Sequence, residues 1–238
     1  MIGPQLSVLV PAFNEAGTIG NVLEALKALE YELEIIVVDD CSVDDTAAIV
    51  AELASSDERI TLLAHERNRG KGAAVRTALG RCIGQVVIIQ DADAEYDPAD
   101  IPRLVDLILA GTADAVYGSR LRGGQPQRAH LFWHYLGNRL LSMMTGVLFN
   151  TTLSDMEVGY KAIRGDIARG LELVSEDFRI EPEITARVLS IPGLRIYEVP
   201  IAYYGRTFAE GKKITWRDGL RAVWALLRFR LITWREPA

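Results

Sequence analysis

Surplus positive charge is missing from this 238-residue chain: 26 Lys and Arg stand against 32 Asp and Glu, for a formal net charge of −6. Nucleic-acid backbones are held by an excess of Lys and Arg, so no nucleic-acid partner is expected. Cysteine is scarce as well. Cys41 and Cys82 lie far apart, each in or beside an apolar element, and they offer neither a disulfide framework nor metal-ligand spacing. They read as reduced thiols of a cytosolic protein. Of the three histidines, His130 and His134 are four apart but have no third ligand in view. No apolar run approaches the ~20 residues that a membrane-spanning helix needs. The N-terminus passes directly into Leu6-Ser7-Val8-Leu9-Val10 without the pattern of a signal peptide. What the chain does have is apolar bulk, at 49% of residues, enough to bury one substantial core; it is read as one domain.

The organising stretch is Val86-Val87-Ile88-Ile89-Gln90-Asp91-Ala92-Asp93. Four consecutive apolar residues, all β-branched, indicate a strand buried on both faces, and two carboxylates follow where it ends. Carboxylates at the carboxyl end of a buried parallel strand point into the crevice where open α/β sheets bind ligands. Two acids so close repel each other unless a cation lies between them, which suits a hard divalent metal carrying a phosphate. A polar turn with Asp93 capping the next helix is the simpler alternative.

Around this stretch the chain alternates. Strands are expected at residues 6–11, 34–38, 60–64, 85–90 and 115–118, separated by helices starting after Asn14-Glu15, running from Thr46 through Leu53, and at 72–82 and 100–109. This is the spacing of βαβ units and a parallel sheet. Each strand is followed by a polar loop: Asn14-Glu15, Asp39-Asp40, Glu66 to Gly72, the Asp91/Asp93 pair and Ser119-Arg120. Acids on the central strands with Arg and Lys beside them describe a pocket for a metal, a base and a diphosphate. Gly70-Lys71-Gly72 is not a P-loop, lacking the upstream glycine and following hydroxyl. It is a poor Rossmann fingerprint too, with Val75 at the third small position and Pro11 in place of a glycine turn.

From Arg122-Gly123-Gly124-Gln125-Pro126 the character changes. Across residues 128–149, helical periodicity collects His134, Tyr135, Asn138, Arg139, Ser142 and Thr145 on one side, and Phe132, Trp133, Leu136, Leu140, Met143, Met144, Val147 and Leu148 on the other. Such a helix either lies at a membrane surface or packs on the sheet or a dimer partner. A second helix, about 215–234, carries Leu220, Val223, Trp224, Leu227, Leu231 and Trp234 on one face with Arg217, Arg221, Arg228 and Arg235 beside it. It suits an anionic membrane surface, or else a solvated face beside a packed helix.

Five ordered motifs carry a resemblance: Pro11-Ala12-Phe13-Asn14-Glu15, Val38 to Thr46, Arg67 to Gly72, Asp91-Ala92-Asp93 and Gly118-Ser119-Arg120. The chain resembles family 2 glycosyltransferases of the GT-A fold, an α/β class with a mostly parallel, Rossmann-like sheet flanked by helices. Within them it is most similar to the dolichyl- or polyprenyl-phosphate hexose synthases. Asp155-Met156-Glu157-Val158-Gly159-Tyr160-Lys161, Val199-Pro200-Ile201, Arg206, Lys212 and Lys213 fit that branch.

The resemblance implies a nucleotide-sugar-binding half, residues 1–120, and an acceptor-binding half, 121–238. It implies that Asp40, with Asp39, accepts from the base of a UDP- or GDP-hexose, and that Pro11, Phe13 and Glu15 shape the base and ribose pocket. Lys71, Ala92, Arg206 and Lys213 would complete the donor site. Asp91 and Asp93 would hold Mg²⁺ or Mn²⁺, joined by Glu95 where relatives carry Gln. Arg120, Arg128 and Arg139 would bind the acceptor phosphate. The implied catalytic set is Asp93, Arg120 and Asp155, with Asp155 a base for a hydroxyl acceptor, an orienting group, or a structural cap. The expected reaction is an inverting transfer to a lipid phosphate by a protein peripheral to the cytoplasmic face of the membrane, a homo-oligomer being compatible with its exposed aromatic helices.

Overall fold

The computed structural model describes residues 3–128, 132–206 and 216–235. Seven strands form a single sheet in the order β3-β2-β1-β4-β6-β5-β7. They are β1 (Leu6–Ala12), β2 (Leu33–Asp39), β3 (Ile60–Ala64), β4 (Val86–Ile89), β5 (Ala115–Ser119), β6 (Lys161–Arg164) and β7 (Ile196–Pro200). The expected strands and helices of the first 120 residues are all present, with ends shifted by a few residues. The helices are α1 (Ile19–Lys27), α2 (Thr46–Ser56), α3 (Lys71–Leu79) and α4 (Ile101–Leu109), followed by α5 (Phe132–Phe149), α6 (Gly165–Gly170), α7 (Ile180–Leu189) and α8 (Trp216–Arg235). β4 and β5 are buried along their whole length and β1 at every residue but Pro11, and in β4 a continuous apolar run is covered on both faces.

One departure from a purely parallel sheet decides where the second half of the chain contributes. β6 inserts between β4 and β5 and runs antiparallel to both, pairing Ala162 with Ile88 and Val116. Its start therefore lies beside the ends of its neighbours. Residues 155–160, which precede β6, are thereby delivered to the same sheet edge as Asp91 and Asp93.

α5 and α8 invert the usual rule for a surface helix. On α5 the small polar residues Ser142 and Thr145 are buried with Leu141, while Phe132, Trp133, Met143 and Val147 are exposed, Trp133 at 77% and Val147 at 81%. Thr145 satisfies its hydroxyl on the Leu141 carbonyl, and the Ser142 hydroxyl accepts from the Met156 N–H. These bonds let a polar stripe face inward with both hydroxyl oxygens hydrogen-bonded. α8 buries Ala222, Ala225, Leu226 and Phe229 against α5 and α7 and exposes Leu220, Trp224, Leu227 and Leu231. Among the described residues no helix is long and apolar enough to cross a membrane.

Candidate active site

Strands β1 and β4 are neighbours, with β2 and β3 continuing on one side and β6, β5 and β7 on the other. A crevice opens at the carboxyl ends of adjacent strands at such a switch point. Here it is a cavity of about 540 Å³, lined by Pro11, Phe13, Glu15, Asp40, Lys71, Asp91, Ala92, Asp93, Glu95, Arg120 and Arg206. Eleven of the residues singled out from the sequence thus meet in one place. Asp39, Asp155, Arg128 and Arg139 do not line it, and Lys213 lies outside the described residues.

Its floor is acidic. Asp91 and Asp93 leave β4 on a turn fixed from below by Gln90, whose amide donates to the Asp91 carbonyl while its own carbonyl accepts from Tyr160. The turn closes through Ala94 at φ 57°, and Thr18 donates to the Ala92 carbonyl at 2.7 Å. Gly159 passes so close that a Cβ there would lie 2.8 Å from Asp91 Oδ2. Burial, with Asp91 and Glu95 as like charges nearby, pushes the Asp93 carboxyl up to about 7.

Two cations answer this charge. Lys71 Nζ sits 2.6 Å from Asp91 and 2.9 Å from Glu181, and although burial opposes it, the two carboxylates hold the ammonium well above its ordinary range. Glu181 is shared with the fully buried Lys161. Arg206 forks onto both oxygens of Glu15 at 3.0 and 3.1 Å and reaches Asp93 at 3.2 Å.

Asp91 and Asp93 suit a divalent cation: two carboxylates project from one turn, and one is held at a pKa where a metal readily displaces its proton. No cluster of three His, Cys, Asp or Glu side chains that could hold a metal occurs among the described residues. Glu95, expected as a third ligand, is placed otherwise. Its carboxylate accepts from the Tyr203 hydroxyl at 2.7 Å and the Arg206 N–H at 2.6 Å, tying residues 203–206 to the acidic turn.

Asp40 lines the cavity, but most of its hydrogen-bonding capacity is used within the protein. It accepts from the Arg69 and Gly70 N–H groups at 2.9 and 2.7 Å and pairs with His65 Nδ1 at 2.6 Å; His65 Nε2 in turn meets Thr77. Four bonds would saturate the two oxygens, and the bonds named here leave one acceptor position on Oδ2. Asp39 accepts from the Ser42 N–H and shapes the turn through Cys41, at φ 64°.

Asp155 is fully buried and locked to Arg120. The guanidinium donates through Nε (2.7 Å) and Nη2 (2.8 Å), and the Arg120 backbone N–H adds a third bond at 2.9 Å. Glu198 secures the turn by accepting from the Ser154 hydroxyl and the Ser154 and Asp155 N–H groups. A carboxylate with three donors and no access to the cavity is not placed to take a proton from a substrate. Its geometry is that of a positioning residue for Arg120, which stacks over the Tyr203 ring at 5.0 Å and faces the cavity. Arg139 is exposed, and Arg128 donates to the Gly205 carbonyl.

Sequence reasoning missed several lining residues. Glu181, Asp177 and Arg179 come from stretches without a recognised motif, Glu157 sits in the motif before β6 but had no role assigned to it, and His134, Asn138 and Arg221 line the cavity from α5 and α8. The signal for the α5 pair was present, since both lie on its polar stripe. The glycine pair has an equally local explanation. A Cβ on Gly70 (φ 94°) would lie 2.5 Å from the Glu176 carbonyl oxygen, and one on Gly72 2.5 Å from that of Ser175. The glycines admit the 175–177 backbone, which brings Asp177 and Arg179 to the cavity, rather than a phosphate.

Known proteins resemble the chain along most of its length. The profile described as "Glycosyl transferase family 2" matches residues 7–168. A low-salt glycan biosynthesis hexosyltransferase of Haloferax volcanii is 30% identical over 97% of this chain, which spans only 54% of that protein. An undecaprenyl-phosphate mannosyltransferase of Micrococcus luteus is 30% identical, with 94% of this chain and 97% of the relative covered. Among solved structures, glucosyl-3-phosphoglycerate synthase of Mycobacterium tuberculosis, in complex with Mn²⁺, uridine diphosphate and glucosyl-3-phosphoglycerate, superposes with a TM-score of 0.72. It is 21% identical, over 95% of this chain and 80% of that one. That likeness establishes the same α/β architecture, GT-A-like.

Proposed function

The chain belongs to glycosyltransferase family 2 and is related to its polyprenyl-phosphate sugar synthases, and from that premise we propose that it transfers a hexose from UDP- or GDP-hexose to a polyprenyl phosphate. The observation that carries the reading is the cavity itself. An acidic pair fit for a divalent cation and Arg120 line it together, and part of its wall comes from two helices that turn apolar side chains outward.

In this reading Asp91 and Asp93 would hold Mg²⁺ or Mn²⁺, which would supply charge to offset that developing on the leaving nucleoside diphosphate. The relative with Mn²⁺ and uridine diphosphate bound supports this choice of group. Phe13 and Pro11 flank the base, and the free acceptor position of Asp40 takes an N–H from it. Lys71 and Arg206 sit where they can trade carboxylates for donor phosphates.

The acceptor phosphate enters from the mouth, passing His134, Asn138 and Arg221 to reach Arg120. These residues take the place assigned to Arg128 and Arg139 from the sequence. A phosphate acceptor is already an anionic nucleophile near neutral pH, so it needs positioning rather than a base. That matches an Asp155 held by Arg120. A single in-line displacement at the anomeric carbon inverts its configuration.

The exposed Phe132, Trp133, Met143 and Val147 of α5 and Leu220, Trp224, Leu227 and Leu231 of α8 give these two helices, which also line the cavity, an apolar outer surface suited to the interfacial region of a cytoplasmic membrane face. The division of labour follows the chain. Residues 1–120 supply most of the donor site and 121–238 most of the acceptor path within one domain, with Arg206 crossing to the donor side and Arg120 to the acceptor side.

The test is transfer of radiolabelled sugar from a panel of UDP- and GDP-hexoses, with Mg²⁺ or Mn²⁺, with and without a short polyprenyl phosphate. Metal-dependent label in the organic phase, absent for Asp93→Ala, is expected. Donor consumption without organic-phase label would refute the lipid acceptor and favour a soluble hydroxyl acceptor.

A further inference from the structure

Glu157 is a cavity-lining carboxyl that the reaction outlined above does not use; Asp177 and Glu95 are also unused there, but they are engaged by Arg179 and by Tyr203 and Arg206. It stands two residues before Gly159, the residue pressed against Asp91, on the wall built by the segment leading into β6. Its Oε1 is shut off from solvent and has no hydrogen-bond partner among the described residues. The neighbouring acids are all engaged: Asp155 by Arg120, Glu181 by Lys71 and Lys161, Glu15 by Arg206, and Glu198 by the Ser154–Asp155 turn. A buried, unmet polar atom is costly and rare, and it calls for a partner that arrives with a ligand.

The chemistry of that partner is narrow. Arg120 and Lys161 draw the Glu157 charge while Glu181 and Asp155 oppose it, and burial, the largest effect, pushes the carboxyl up to about 7. Near neutral pH both the acid and the carboxylate are present, so the group can either donate to or accept from an alcohol. A phosphate would be repelled by the charged form. A metal is better served by Asp91 and Asp93, the acidic pair on the facing turn. The part of a nucleotide sugar that lies next to its metal-bound diphosphate and carries many hydroxyls is the sugar.

We infer that Glu157 is a specificity-determining residue that hydrogen-bonds a hydroxyl of the transferred hexose. The inference rests on the donor reading above and adds to it the residue that distinguishes a nucleotide sugar from a bare nucleotide.

Isothermal titration calorimetry of the full chain in Mn²⁺ tests it with UDP, UDP-glucose, GDP and GDP-mannose. Glu157→Ala should weaken binding of the accepted nucleotide sugar by about 10-fold or more, as expected for a lost hydrogen bond in a buried site. The bare nucleotide should stay within about 2-fold, since no contact with it is lost. Glu157→Gln, which keeps a donor and an acceptor of the same shape, should bind the sugar within about 3-fold of the wild type. Equal weakening of nucleotide and nucleotide sugar, or no change in either, would overturn the assignment and leave Glu157 a structural residue. If neither UDP nor GDP binds the wild type, the donor reading itself falls and takes this inference with it. Nucleotide binding with an unaltered preference for the sugar conjugate sinks the inference alone.

Discussion

Asp155→Asn separates a positioning role from a base role. The substitution keeps the side-chain shape but removes the charge and one guanidinium acceptor from a pair in which Asp155 is fully buried and the Arg120 side chain is 12% exposed. Breaking a buried pair from one side leaves an uncompensated guanidinium, a loss of about 3–5 kcal/mol. Domains of this kind have about 5–15 kcal/mol in all. At about 2–4 °C per kcal/mol for a chain of this length, the melting temperature should fall by roughly 6–20 °C. Differential scanning calorimetry at neutral pH, beside a turnover assay below the melting range of both proteins, provides the measurement. A base would lose turnover with its stability intact. A positioning residue should lose both, and the double variant Asp155→Leu/Arg120→Met should recover part of the stability but none of the turnover. A melting temperature within about 2 °C of the wild type for Asp155→Asn would refute the assignment of this pair as a structural lock, because the magnitude follows directly from its burial.

Gly72→Ala should destabilise the chain by about 1–3 kcal/mol in urea titrations and weaken donor binding in parallel, because its Cβ meets the Ser175 and Asp177 carbonyl oxygens at 2.5 and 2.9 Å. Unchanged urea midpoints would show that residues 175–177 do not depend on that close approach. The Asp93 carboxyl, raised from 3.8 to about 7 in the folded state, makes stability greatest below the unfolded value and lost as pH rises through about 7. In metal-free buffer, Asp93→Asn should therefore melt above the wild type at pH 8, with the gap closing by pH 4. A gap independent of pH would contradict the charge crowding around this turn.

Much of this molecule is legible along the chain. The strands that end at Asp40 and Asp91 are continuous apolar runs, so their burial, their parallel pairing and the edge at which their carboxylates emerge follow from local pattern and from the chirality of βαβ units. The motifs after β1, β2 and β4 converge because that topology leaves them no other place to go. Local pattern also gave α5 two faces, but periodicity cannot say which one is covered. Burial of Ser142 and Thr145 beneath an exposed Trp133 is decided by the hydrogen bonds that satisfy those hydroxyls and by the apolar side chains of α8 beside them.

The roles of individual carboxylates were likewise settled only in three dimensions. Asp155 and Glu95 look like available acids in the sequence. Their oxygens are taken up by Arg120, Tyr203 and the Arg206 backbone, which lie 35, 108 and 111 residues away. Glu157, in contrast, lies in a motif that gave it no role, and its place at the site emerges because β6 runs antiparallel and carries it to the cavity wall with one oxygen unmet. A residue's type and its neighbours in sequence fix what chemistry it can perform. Which of its lone pairs remain open depends on groups from distant segments, and those only folding brings within hydrogen-bonding distance.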